Sequence, residues 1–249
     1  MSIKLLDYER RARHAVKAFW DNRDAATLKQ QHSGKTDRGE RSSVTAGKNM
    51  NGFVSLLAEI VRANGLKNAE ILVDGRLLTL PGFFRPTKVW DLLVLNKGRL
   101  VAAIECKSQI GPSFGNNANN RAEEAIGTAK DFWTAYREGS FGQTPKPFVG
   151  ILFLLEDTAR SRAPVRCDTP HFPVFPEFQD ASYADRYHLL CKKLVQESLY
   201  TSASLVLSSR DSAKNGNYVE YDELTGLKSF ISTFAGHVAA EAALTKPSK

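Results

Sequence analysis

Three charged residues lie within two otherwise apolar runs of the chain. Asp91 lies near the start of the first run, Val89 to Leu95, and Glu105 and Lys107 close the second run, Leu100 to Lys107. Because an unpaired buried charge is costly, these side chains need partners. Two carboxylates and an ammonium group in one place can hold a hard divalent cation and position a water molecule. That combination suits the hydrolysis of a phosphate ester.

The elements that must position these charges are the two strands of a hairpin. An Asn-Lys-Gly-Arg segment, typical of a hairpin loop, separates the two apolar runs. Side chains alternate along a strand, so Glu105 and Lys107 share a face. We predict that Leu95 pairs with Val101. Asp91 then lies opposite Glu105, and the three charges meet at one end of that face.

The tripeptide pattern (Asp/Glu)-x-Lys is weak evidence by itself and depends on its structural context. Glu105-Cys106-Lys107 is its only occurrence in the chain, and it falls on the strand that follows Asp91. The alternative interpretation is a cross-strand ion pair at the edge of a sheet, which needs no chemistry.

The rest of the chain supplies helices and strands around this hairpin. Apolar periodicity predicts helices near residues 5–19, 51–65, 120–136, 183–194 and 224–243, short strands near 70–73, 77–80 and 203–207, and a strand buried on both faces at 148–155. Residues 21–49 and 111–119 are expected to be loops. The order of elements from residue 51 to 155 predicts an α/β fold with one mixed sheet covered by helices on both sides.

Composition limits the partners and the compartment. The chain has 249 residues and a net charge of +7, and residues 1–100 hold 18 Lys and Arg against 10 Asp and Glu. This uneven charge indicates a polyanion, with nucleic acid ahead of an anionic membrane. Three cysteines without metal-ligand spacing fit a reducing cytoplasm. No apolar run approaches the roughly 20 residues that span a bilayer, so we expect a cytoplasmic protein that binds no membrane.

Longer motifs give the hairpin a family context. The order of elements is similar to the PD-(D/E)XK nuclease superfamily, whose restriction-endonuclease-like core is αβββαβ, although Trp90 stands where that superfamily has proline. The amino-acid sequence resembles the XhoI family of type II restriction endonucleases over nearly its whole length. This resemblance rests on the segments Phe84 to Asp91, Ser108 to Asn117, Asn119 to Arg121, Glu123 to Ala129, Gly39 to Ser42, Pro170 to Pro173 and Ala235 to Ala239.

The resemblance implies a Mg²⁺-dependent homodimer that cuts double-stranded DNA at the palindrome CTCGAG. Cleavage would leave 5′ overhangs with 5′-phosphate ends, and a cognate methyltransferase would protect the same site in host DNA. It also implies a single restriction-endonuclease domain over residues 1–249. Within it, residues 1–50 form an N-terminal helix and basic arm, residues 51–155 the catalytic core, and residues 156–249 the completing helices and strand.

Carried over to this sequence, the resemblance assigns roles to individual residues. Asp91 and Glu105 would hold Mg²⁺ with the backbone carbonyl of Cys106, and Lys107 would position or activate the attacking water. Gln109 would orient Lys107 or a phosphate, or be only a polar residue at the strand end. Glu59 would add an acidic ligand, or be an exposed helix residue.

Base recognition is predicted in polar segments on either side of the hairpin, because Arg reads guanine and Asn reads adenine in the major groove. Phosphate contact and plain solvated surface are the alternatives. The candidate DNA-binding residues are Lys35, Arg38, Arg41, Lys48, Asn49, Arg85, Lys88, Asn116, Asn117, Asn119, Asn120 and Arg121. Two other functions stay open: a nuclease that reads DNA structure instead of sequence, and a non-catalytic DNA-binding protein on the same scaffold.

Overall fold

The structure of the protein, a computed structural model, describes residues 2–32 and 49–244. The helices of this part are α1 (Tyr8–His32), α2 (Asn51–Ala63), α3 (Phe114–Arg137), α4 (Ala159–Arg162), α5 (Tyr183–Gln196), α6 (Ser212–Asn215) and α7 (Leu227–Leu244). Its strands are β1 (Glu70–Leu72), β2 (Thr79–Pro81), β3 (Thr87–Val89), β4 (Leu92–Asn96), β5 (Arg99–Gln109), β6 (Phe148–Glu156) and β7 (Ser202–Ser208).

The central sheet has five strands in the order β1-β4-β5-β6-β7. β1, β4 and β5 pair in antiparallel fashion, whereas β5, β6 and β7 run parallel. Every residue of β6 and β7 is buried. Such strands need helices on both faces of the sheet, which explains their nearly continuous apolar sequence. The predicted mixed α/β sheet is confirmed.

Two groups of helices cover the two faces. Helices α1, α2 and α7 pack with alternate residues of the sheet that include Ile104 and Cys106. Helices α3 and α5 pack on the other face, with residues that include Leu93 and Ala103. Because side chains alternate, Glu105 and Lys107 project from the face that carries α3 and α5. The site therefore lies between the sheet and α3.

The β4–β5 hairpin has an irregular register. Its turn is Lys97-Gly98, and both residues have positive φ angles, as a type I′ turn requires. A β-bulge between Val94 and Leu95 shifts the pairing, so Leu95 lies opposite Leu100. The predicted pairing of Leu95 with Val101 is therefore wrong. Beyond the bulge, however, Leu92 pairs with Ile104, and this register brings Asp91 opposite Glu105.

A second, two-stranded sheet precedes this hairpin. β2 and β3 pair in antiparallel fashion and lie outside the central sheet. The predicted single strand from Val89 to Leu95 is wrong, because Val89 ends β3 and Trp90 donates its backbone N–H to the carbonyl of Leu78. Trp90 and Asp91 thus form the connection between two strands that belong to different sheets.

Two predicted loops are partly helical. Residues 21–32 continue α1, because their sequence is rich in good helix formers and Trp20 anchors the helix through a 2.8 Å hydrogen bond to Ser208. α3 begins at Phe114 instead of Asn120, because Phe114 is buried and stacks on Tyr183.

None of the helices in the described part of the chain has both the length and the hydrophobicity of a membrane-spanning segment.

β6 is fully buried between β5 and β7. Leu152 is completely buried, whereas Leu77 is 69% exposed. We expect Leu152→Ala to lower the free energy of unfolding by about 3 kcal/mol, because the substitution leaves a cavity between the sheet and its helices. Leu77→Ala is the matched control and should change it by less than about 0.5 kcal/mol. Urea unfolding measures both, and equal losses in the two variants would contradict this assignment of the core.

Candidate active site

The β4–β5 hairpin brings the two carboxylates together. Asp91 donates its backbone N–H to the carbonyl of Ile104 at 3.1 Å, and its Oδ2 accepts the backbone N–H of Cys106 at 2.8 Å. These two bonds fix Asp91 beside the strand residue that follows Glu105 in the chain. The local fold thus gives the carboxylate of Asp91 a single position, set by the ladder of β5.

Two lysines share one oxygen of Glu105. Its Oε1 lies 2.9 Å from the Nζ of Lys88 and 2.5 Å from the Nζ of Lys107. The side chain of Glu105 is only 3% exposed, and those of Lys88 and Lys107 are 14% and 27% exposed. A carboxylate this deeply buried requires positive charge nearby, and the two ammonium groups supply it.

The charges of this cluster shift one another's ionisation. Burial tends to raise the pKa of Glu105, but the charges of Lys107 and Lys88 outweigh burial and hold the pKa below its ordinary value. Burial tends to lower the pKa of Lys107, but the charge of Glu105 outweighs it, so the pKa is raised. Glu105 and Lys107 are therefore both charged at neutral pH.

Asp91 behaves differently from Glu105. Burial raises the pKa of Asp91, and the hydrogen bond from Cys106 opposes that rise only in part, while the negative charge of Glu105 adds to it. The two carboxylates therefore lie close enough to repel each other. Two adjacent carboxylates that repel are stabilised by a cation between them.

The donor set fits a hard divalent cation. Asp91 and Glu105 offer carboxylate oxygens, and within the described residues the hydrogen bonds of the pair use Asp91 Oδ2 and Glu105 Oε1 alone. Hard oxygen ligands of this kind suit Mg²⁺, which keeps several waters and takes one or two protein carboxylates. In the described part of the chain, no three His, Cys, Asp or Glu side chains cluster as a preformed metal cage. A two-carboxylate Mg²⁺ site needs no such cage.

The hairpin formed by β2 and β3 delivers Lys88 to this site, and Asp131 of α3 holds the tip of that hairpin. Asp131 Oδ1 accepts the backbone N–H groups of Phe83 and Phe84 at 2.7 Å each, and Oδ2 accepts the Nε of Arg85 at 2.8 Å. Burial tends to raise the pKa of Asp131, but the bonds from Phe84, Arg85 and Phe83 outweigh it and lower the pKa. Gly82 leaves room for this close approach, because a side chain there would collide with the Asp131 carboxylate.

The side chains of three other predicted site residues make their contacts outside this cluster. The Nε2 of Gln109 donates to the carbonyls of Ile110 and Ser113, at 2.9 and 3.4 Å, so its amide contacts backbone instead of Lys107. The side chain of Cys106 packs into the core on the opposite face. Glu59 lies on α2, which covers that opposite face, and pairs with Arg11. Roles for Gln109 and Glu59 in catalysis or metal binding remain predictions.

The predicted DNA-binding residues divide into three groups. Lys35, Arg38, Arg41 and Lys48 lie outside the described residues, as does the side chain of Asn116. Asn49 is buried, with its amide nitrogen unpaired within the described part, so this conformation does not present it to DNA as predicted. The remaining group lies on the β2–β3 hairpin or on α3. Arg85, Asn119 and Asn120 are exposed there, whereas Lys88, Asn117 and Arg121 are partly buried.

One of these residues belongs to the carboxylate cluster, and another acts on it only through its charge. Lys88 contacts Glu105 directly, and the positive charge of Arg121 acts on Lys107. Arg121 pairs with Glu124 at 2.5 Å. Sequence reasoning placed Lys88 among DNA contacts and missed its bond to Glu105, and it missed Asp131 altogether. The Arg-Pro-Thr-Lys segment just before Asp91 marked Lys88 only as a candidate DNA contact, and the periodicity of α3 gave no signal for Asp131.

Comparison with known proteins places the chain in a family of enzymes. The protein family described as restriction endonuclease XhoI matches residues 29–220 of the chain. The chain therefore belongs to the XhoI family of restriction endonucleases, and the predicted resemblance is confirmed. No solved structure matches the chain.

Three relatives are each named a type II restriction enzyme. AbrI of Azospirillum brasilense is 62% identical over 172 residues, which cover 69% of this chain and 77% of AbrI. XhoI of Xanthomonas vasicola is 53% identical over 196 residues, 78% of each chain. BstVI of Geobacillus stearothermophilus is 46% identical over 226 residues, 89% of this chain and all of BstVI.

The Asp131 anchor yields a test of how the β2–β3 hairpin is positioned. We expect Asp131→Ala to lower the free energy of unfolding by about 2 kcal/mol, because two backbone amides and Arg85 lose their acceptor. The amides of Phe83 and Phe84 should also exchange with solvent faster. Asp74→Ala, at an exposed turn in the same region, is the control and should change neither quantity. Unchanged exchange at the tip in Asp131→Ala would contradict the anchor.

Proposed function

We propose that the chain is a site-specific deoxyribonuclease that hydrolyses phosphodiester bonds in double-stranded DNA at CTCGAG and leaves 5′ overhangs with 5′-phosphate ends. Family membership and three relatives named type II restriction enzymes support a restriction activity. The observation that carries the proposed chemistry is the cluster of Asp91, Glu105 and Lys107 at one end of the β4–β5 hairpin.

The fold supports a PD-(D/E)XK core. α2, the antiparallel strands β1, β4 and β5, then α3 and β6, follow the αβββαβ order of that superfamily. A single domain is supported by the C-terminal segment, because β7 extends the central sheet and α7 packs into one of its two cores. Residues 1–249 are therefore proposed as one restriction-endonuclease domain.

Each residue of the cluster has a distinct part in the proposed reaction. Asp91 and Glu105 would hold Mg²⁺, and the bound ion would supply positive charge that stabilises the developing negative charge on the phosphate and on the leaving 3′ oxygen. Lys107 lies on the same face as Glu105 and is the more exposed of the two lysines, so its ammonium group can orient a water for in-line attack on phosphorus. The bond from the Cys106 amide keeps the Asp91 oxygens aimed at the cluster.

A palindromic site suggests the assembly. Cutting both strands of CTCGAG at symmetric positions is simplest for a homodimer, whose two-fold axis matches that of the DNA. A cognate methyltransferase that protects the same sequence belongs to this function, but it need not bind the nuclease.

Digestion of DNA of known sequence, followed by mapping of the fragment ends, tests the proposed activity and specificity together. With Mg²⁺, we expect discrete fragments whose ends all fall at CTCGAG, and no cutting in excess EDTA. Fragments that end at another sequence would overturn the specificity. A smear, or cutting only at junctions, would support a nuclease that reads DNA structure, and binding without cutting would support a non-catalytic protein.

Lys107 provides the test of the assigned chemistry. We expect Lys107→Ala to lower the cleavage rate by at least about 100-fold, because the attacking water loses its positioning group, while DNA binding persists. Lys130→Ala, an exposed lysine of α3, is the control and should cut normally. A single-turnover assay measures the rates and fluorescence anisotropy the binding. Unaltered cleavage by Lys107→Ala would contradict the mechanism.

The basic N-terminal segment is proposed as a DNA-facing arm. Replacing Lys35, Arg38 and Arg41 with Ala should reduce the slope of binding affinity against salt concentration by about 3, because each phosphate contact releases counterions. The control replaces three exposed basic residues that follow Lys146 in the chain, namely Arg160, Arg166 and Lys214. An equal effect in both triple variants would refute a specific role for the arm.

A further inference from the structure

Lys88 is partly buried in a strand whose other residues are exposed. It lies on β3, whose neighbours Thr87 and Val89 are exposed, yet its own ammonium group reaches the buried carboxylate of Glu105. Its side chain also lies over the ring of Trp90, with Nζ 5.2 Å from the ring centroid, and Nζ donates to the carbonyl of Val89 at 2.9 Å. The side chain of Lys88 is therefore largely buried, and its ammonium group contacts Glu105.

Without a metal ion, the carboxylate of Glu105 is already paired with two ammonium groups. Two carboxylates, Asp91 and Glu105, face two ammonium groups, Lys88 and Lys107. A dication bound by the carboxylates adds two positive charges next to both lysines, and this repulsion acts whichever Glu105 oxygen the metal uses. Metal binding in the absence of DNA is therefore opposed by the lysines that already neutralise the site.

One of the two lysines is better placed to leave. Lys107 is two residues from Glu105 on β5, so the strand holds it at the cluster. Lys88 comes from the separate two-stranded sheet and reaches the cluster by its side chain alone. Because the neighbours of Lys88 are exposed, its flexible four-carbon stem can turn toward a ligand outside the site.

We propose that Lys88 is an internal counter-ion: it neutralises Glu105 in the DNA-free protein, yields that carboxylate to the divalent cation, and then pairs with a backbone phosphate of the bound DNA. This inference rests on the proposed function and adds a coupling to it. DNA and metal would each favour the other, because the phosphate gives Lys88 a new partner. The free protein would bind metal weakly and so be poorly loaded away from DNA.

The test measures Mn²⁺ binding to the DNA-free protein, by electron paramagnetic resonance of the unbound ion, and so needs no cleavage. We expect Lys88→Met to bind Mn²⁺ more tightly, on the order of tenfold, because the competing charge is gone. Methionine retains an unbranched stem that can pack on Trp90. Lys88→Arg keeps the charge and should bind like the wild type, as should Lys130→Met. Lys88→Gln provides a second neutral variant, and thermal unfolding verifies that each variant is folded.

A second measurement follows the other half of the exchange. In EDTA, Lys88→Met should bind a CTCGAG duplex more weakly than the wild type, since the uncompensated carboxylates then repel the phosphates. Folded neutral variants that bind Mn²⁺ no tighter than the wild type would overturn the counter-ion role and leave a structural ion pair. If no variant binds Mn²⁺ without DNA while the wild type cleaves DNA with Mg²⁺, the role of Lys88 fails and the proposed metal site stands; if the wild type also fails to cleave with Mg²⁺, the proposed metal site fails as well. If the wild-type protein cleaves DNA but the neutral variants bind Mn²⁺ no tighter than it does, only the role of Lys88 is refuted.

Discussion

The burial of Glu105 is the constraint on which the site depends. A carboxylate that is 3% exposed at the centre of a sheet is tolerated only with compensating charge, and this chain supplies two lysines from two different sheets. β5 alone could supply Lys107. Lys88 requires a separate hairpin held against the central sheet, and Asp131 of α3 provides that attachment. Neutralising this one carboxylate thus depends on three elements that are distant in sequence, namely β5, the β2–β3 hairpin and α3.

The β-bulge at Val101 of β5 shows how backbone geometry also positions these charges. It lets a tight two-residue turn close the hairpin while the register at Leu92 places Asp91 opposite Glu105. Without the bulge, that turn would move Asp91 by one residue and direct it to the opposite face. α3 and α5 cover the face on which the charges lie. The buried parallel strands β6 and β7 give these charges a rigid support.

Sequence alone could predict much of this because the strongest signals are local. The periodicity of α2 and α5, the apolar run of β6 and the charged tripeptide at Glu105 all reflect burial patterns within one element. The start of α3 at Phe114 could not be predicted, because tertiary packing on Tyr183 overrides a segment rich in Gly and Asn. Nor could the bond between Lys88 and Glu105, since it joins two sheets whose relative placement depends on Asp131. Residues 21–32 of α1 were predicted as a loop because the apolar residues of their sequence show no helical period.

The central claim is that Asp91 and Glu105 together hold one divalent cation at the end of the hairpin. Anomalous diffraction from crystals of the protein bound to a CTCGAG duplex and Mn²⁺ tests it most directly. We predict an anomalous peak with one oxygen of each carboxylate about 2.2 Å away, beside the Nζ of Lys107. A peak that contacts neither carboxylate, or no peak at Mn²⁺ concentrations that support cleavage, would contradict it.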